Sequence, residues 1–194
     1  PGDNEWTDCS VSADVRLQAL TRLRSVFFGR NSSLGRRTLP LERQGSVSAE
    51  FAEFVENTRW QADAITFATL HVVGSSNNVQ AAERGRRTEA DLAWLDAAFA
   101  TARDRSSRGL VLVMQANLFE KDSPFTKPIK DALLRNVLAY AAPVFLVHGD
   151  THQFRVDHPL VGPDGTRVAH FTRVETFGTP DHHWVEAIVD YDNQ

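Results

Sequence analysis

The chain has 194 residues, 42% of them hydrophobic, a formal net charge of −4 and a single cysteine, Cys9. Such a length and composition are those of a globular chain with room for one sizeable core. The mild negative charge creates no field that would draw the chain to nucleic acid or to an anionic membrane, and one cysteine excludes both an internal disulfide and a cysteine-built zinc site. No apolar run approaches the roughly 18 residues of a membrane span. The expectation is one domain over residues 1–194, with no nucleic-acid partner and no membrane segment.

The opening "PGDNEW" enters a glycine turn from a start that is not Met, so the sequence reads as lacking part of its natural N-terminal region, and the compartment stays open. A helix is predicted from Ser12, an N-cap residue type, because Val15, Ala19, Leu20, Leu23, Val26 and Phe27 recur at helical spacing. Residues 28–45, mostly Gly, Ser, Asn, Arg and Pro, read as a long irregular loop. The basic clusters "GRR" (35–37) and "RGRR" (84–87) sit among small polar residues and read as solvated loops, with phosphate attraction the lesser option.

"AITFATLHVVG" (64–74), rich in β-branched and aromatic residues, reads as a strand with His71 near its end. "TEADLAWLDAAFATARDR" (88–105) opens with Thr88 and Asp91 in capping-box register and puts Leu92, Leu95, Phe99 and Ala102 on one face of a helix. "GLVLVMQANLF" (109–119) is a short buried strand running into a loop. A further helix starts at Thr126, tolerates Pro128 in its first turn and carries Ile129, Leu133, Leu134, Val137 and Leu138 on its apolar side. Pro143 ends it, and an apolar strand follows. After Gln153 the alternation of "QFRVDHPL", "TRVAHFTRVETFG" and "HWVEAIVDYD" predicts an antiparallel meander. The expected fold class is α/β: a layered sandwich with helices flanking mixed β-sheet, ending in that meander.

"VFLVHGDTHQF" (144–154) breaks from an apolar strand into His148, Gly149, Asp150, Thr151 and His152, at a strand end where such folds gather chemistry. Asp150 and His152, two apart on a turn that Gly149 permits, are able to converge on a cation. Against this, "GD" is a common turn former, and a lone histidine is more often structural than ligating. Adjacent His182 and His183 would point to opposite faces of a strand, so they read as surface and packing residues, as do His158 and His170.

The segment resembles the last metal-binding motif of the calcineurin-like metallophosphoesterases, an apolar strand followed by Gly-His-x-His, with Asp150 in the first histidine position and His152 in the second. "PGDNEWTDC" is similar to that family's Gly-Asn-His-Glu/Asp segment, with Asn4 matching the ligand asparagine, Glu5 replacing the histidine and Trp6 the acidic residue. An alternative alignment makes Asp3 the bridging carboxylate of a Gly-Asp motif. "AWLDAAF" and "LVLVMQANLF" fit the family's Trp-Leu helix and following strand, with Gln115 replacing the ligand histidine. The family's first two motifs have no counterpart in these residues.

The resemblance implies a metallophosphoesterase acting on a small phosphorylated substrate, a phosphomonoester or phosphodiester, through two divalent metals (Mn, Fe or Zn) roughly 3.5–4 Å apart. It implies Asn4, Gln115, Asp150 and His152 as metal ligands, Glu5 as the catalytic acid and His71 as a substrate contact. For Glu5 a carboxylate held by the turn's own backbone is an equal alternative. The replaced histidines also fit a non-catalytic ligand-binding module with a degenerate metal site.

Overall fold

Runs of β-branched and apolar residues between glycine and proline breaks become the strands, and the longer 3.6-periodic stretches between them become crossover helices. The structure, a computed structural model, describes residues 1–77, 81–181 and 183–190. In chain order the elements are α1 (Ala13–Phe27), β1 (Glu42–Arg43), α2 (Gln44–Val47), β2 (Thr58–Ala62), β3 (Ile65–Thr69), α3 (Gly74–Asn77) and α4 (Ala81–Asp104). They continue with β4 (Gly109–Val113), α5 (Lys127–Leu138), β5 (Val144–His148), β6 (Arg155–Asp157) and β7 (Phe171–Glu175). The strands form one mixed sheet in the order β1-β2-β3-β4-β5-β7-β6. β3, β4, β5 and β7 run parallel, with β1 and β2 antiparallel at one edge and β6 antiparallel at the other.

Helices α4 and α5 cover one face of this sheet. Trp94, Leu95, Ala98 and Phe99 of α4 and Ile129, Leu133 and Val137 of α5 close over Ala68, Leu110, Leu112, Val144, Leu146 and Phe171. Phe99 meets Tyr140 edge-on at 5.6 Å between ring centres, an arrangement that aromatic quadrupoles favour. On the opposite face Trp60, Phe67, Val111 and Phe145 lie in register across four strands, and Trp60 stacks on Phe67 at 5.1 Å.

Three expectations change. The helix placed from Thr88 begins at Ala81, because "AAERGRR" continues the helix through Ala, Glu and Arg in spite of Gly85. Within it Arg87, read as part of a solvated loop, is fully buried and donates to Glu83, to the His71 carbonyl and to Asn77. The closing meander is also missing among the described residues. β7 returns beside β5 in parallel, only β6 and β7 pair antiparallel, and residues 183–190 form no strand. His182 lies outside the described residues. Among those described, no helix is long and apolar enough to cross a membrane.

Candidate functional site

The N-terminal turn winds around one acceptor, the Asp3 carbonyl, which takes the N–H groups of Trp6 and Asp8 and the Thr7 hydroxyl, each at 3.1 Å. Trp6, fully buried, packs with Leu20 of α1 and with Val73. That apolar anchor brings Asp3 beside Gly74, the residue after Val73.

From the other side, Gln115 and Asp150 each lie two residues past the end of a strand, Gln115 after β4 and Asp150 after β5. A side chain built at Gly74 would overlap both Asp3 Oδ2 and Asp150 Oδ1, so the two carboxylates face one point across the glycine. Gln115 links Asp150 to the Gly74 backbone: its Oε1 accepts the Gly74 N–H, and its Nε2 lies 3.5 Å from Asp150 Oδ1. The Asn117 N–H donates to Asp150 Oδ2 at 2.9 Å. Burial pushes the Asp150 carboxyl above the usual carboxylate range; the Asn117 N–H opposes the rise, and the negative charges of Asp3, Glu120 and Glu175 add to it. The turn itself is held in unusual backbone: Asp150 and His152 have φ of 78° and 60°, left-handed values that non-glycine residues adopt at a cost.

The remaining predicted residues lie around this point. Asn4 is exposed on the turn, its backbone N–H donating to Asp3 Oδ1 at 2.9 Å. Glu5 is exposed and its Oε2 accepts the Gly2 N–H at 2.8 Å, the backbone-held arrangement. His152 is exposed; its Nδ1–H donates to the Thr179 carbonyl at 3.1 Å, which leaves the lone pair on Nε2. The structure therefore brings together Gln115, Asp150 and Asp3, the last being the residue of the alternative alignment. It sets Asn4, Glu5 and His152 at the periphery, with no hydrogen bond to Asp150 among the described residues.

His71 is buried. Its Nδ1 lies 2.6 Å from Glu56 Oε1, and Arg24 also binds Glu56, through two hydrogen bonds. Burial holds His71 neutral, lowering its pKa to about 3. For Glu56 burial opposes the charge, but His71 and Arg24 more than offset that and lower it to about 2. Asp91 accepts from Asn57 at 2.9 Å and from the His71 N–H at 3.2 Å, and its burial raises it to about 7. His71 and Gln115 both line a cavity of about 220 Å³, together with Glu56, Thr58, Thr69 and Met114. His158 and His170 hold backbone carbonyls, of Phe171 at 2.7 Å and Val137 at 3.0 Å.

Sequence reasoning passed over Asn117, whose only signal was an asparagine two residues past the strand-end glutamine. It also passed over Glu56, Asn57 and Asp91, a polar group whose members are far apart in the chain. No family model, curated protein or solved structure matches the chain.

Proposed function

We propose that the protein hydrolyses a small phosphoester with the help of a divalent cation held by Asp3, Gln115 and Asp150. The observation that carries this reading is the convergence of two carboxylates on one point beside Gly74, at the ends of adjacent parallel strands, where open α/β sheets bind ligands. The similarity of "GDTH" to a phosphoesterase motif supplies the reaction class. Among the described residues no group of three or more His, Cys, Asp or Glu gathers around a metal position. Two carboxylates would suit one hard cation, Mg or Mn, and the Gln115 Oε1 that accepts the Gly74 N–H keeps a second lone pair that would serve it.

Such a cation neutralises phosphoryl charge and makes a bound water more acidic. The chain's own groups do the rest. Asp3 and Asp150 set where the phosphoryl group sits, since their repulsion falls only when positive charge lies between them. Asn117 keeps Asp150 turned inward. Glu5, held by the Gly2 N–H at the rim, is the side chain this reading assigns to the leaving-group side of the site. His152 lies on the same turn as Asp150, at the exposed outer edge of the site.

The sparse donor set equally favours a second reading, a ligand-binding module without turnover. A chromogenic phosphomonoester and a phosphodiester, assayed with Mn, Zn and Mg in turn, separate the two. Cation-dependent hydrolysis that Asp150→Ala abolishes supports the enzyme. No turnover with any cation, together with a Tm raised by Mn, turns the assignment to the binding module. Neither turnover nor a Tm shift would sink both.

A further inference from the structure

In β7, Phe171, Arg173 and Glu175 point to the helix-covered face, with Arg173 4% and Glu175 0% exposed. Their cross-strand partners on β6 are Asp157 and Arg155, so opposite charges stand in register. Asp157 takes two hydrogen bonds from Arg173, and Arg155 Nε approaches Glu175 Oε2 to 2.8 Å. Arg173 and Glu175 are stripped of water while Asp157 and Arg155 stay partly solvated, so these pairs add little net stability compared with apolar residues of the same size. These groups do, however, converge on the turn that carries Asp150.

Glu175 Oε1 accepts the Thr151 hydroxyl. Thr151 Oγ1 in turn accepts from Asn117 Nδ2 at 3.1 Å. Asn117 Oδ1 takes the Phe119 N–H at 3.0 Å and faces Arg173 Nη1 at 3.4 Å, which fixes the asparagine against rotation. The Asn117 backbone N–H then donates to Asp150 Oδ2. Thr151 sits between two left-handed residues, in a turn that local preference alone would not hold. Its hydroxyl is the point where buried Glu175 of β7 grips that turn.

We propose that Thr151, held between Asn117 and buried Glu175, is a positioning residue that keeps the Asp150 carboxylate facing Asp3. This rests on the reading of Asp150 as a cation ligand, but its geometric core is testable without a cation. The variants are Thr151→Val, which keeps the shape and loses the hydroxyl, and Thr151→Ser, which restores the hydroxyl. Amide hydrogen exchange of the Asn117 N–H and the Mn2+ Kd are measured on the same full chain. In Thr151→Val, Asn117 exchange speeds at least tenfold and Mn2+ binding weakens by about the same factor, while Leu112 and Leu146 amides keep their protection. Thr151→Ser returns both to near wild type. If Thr151→Val does not fold, Asn117→Ala cuts the same link from the loop after β4 and gives the same pattern.

Unchanged Asn117 exchange in Thr151→Val overturns the proposal, as does loss of protection spread equally over Leu112 and Leu146. If wild-type protein binds no Mn2+, the cation reading fails, and the exchange result alone still decides whether Thr151 positions Asp150.

Discussion

Replacing Asp150 with Asn tests the central geometry, because it removes one charge at constant size, at the loss of only the long 3.5 Å contact from Gln115 Nε2. Asparagine tolerates the left-handed φ of 78° at least as well as aspartate, and its amide oxygen still accepts the Asn117 N–H. The new NH2 faces Asp3. Two unit charges at roughly 5 Å repel by ~1 kcal/mol in bulk water and ~3 kcal/mol at the lower effective dielectric of a protein surface. Both residues are partly solvated, so without added cation the variant gains about 1 kcal/mol, or roughly 2–4 °C in Tm for a chain of this size. With Mn2+ at about 100 times its Kd the order reverses. Wild type then gains ~2.7 kcal/mol from binding, some 5–10 °C, and Asp150→Asn gains little. Differential scanning calorimetry with and without Mn2+ reads both halves. A variant less stable than wild type in the absence of cation, or one that shifts equally with Mn2+, refutes the facing carboxylates.

Gly74→Ala places a methyl group against both carboxylates, so it should cost about 1–3 kcal/mol in urea unfolding and abolish the Mn2+ shift; an unchanged Mn2+ response would show the point between the carboxylates to be unused. Gln115→Ala leaves the Gly74 N–H without its acceptor and should weaken Mn2+ binding modestly, whereas Gln115→His, supplying a stronger donor, should tighten it, both read by titration calorimetry. Asp91, raised by burial from an ordinary 3.8 to about 7, is stabilising in its protonated form; that contribution is complete below pH 4 and is lost as pH climbs to 7. Stability of Asp91→Asn relative to wild type should accordingly rise across that window, by up to ~4 kcal/mol, and chemical denaturation at pH 4.5 and 7.5 showing no such rise would contradict it. Glu56 acts in the opposite direction: lowered to about 2, its contribution is present above pH 4.5 and lost as pH falls toward 2, so Glu56→Gln should flatten the acid limb of unfolding.

The sequence alone determined the α/β class, the crossover helices and the strands that end at Val113 and His148, because these depend on local apolar period and on breaks such as Pro143. It also marked the 149–152 turn as a candidate site, since a glycine-aspartate break after an apolar strand is visible in one dimension. Where α4 begins was not legible, because the signal that Arg87 is buried lies in Glu83, Asn77 and the His71 carbonyl, and an exposed RGRR loop has the same composition. The inward faces of Arg173 and Glu175 were equally hidden: alternation fixes which residues share a face, but only strand pairing decides which face is covered. The meeting of Asp3 with Asp150 depends on Trp6 anchoring against Leu20 and Val73 and on β4 and β5 lying side by side in parallel register. Those are contacts between residues far apart in the chain, and only the folded sheet brings them within reach of one another.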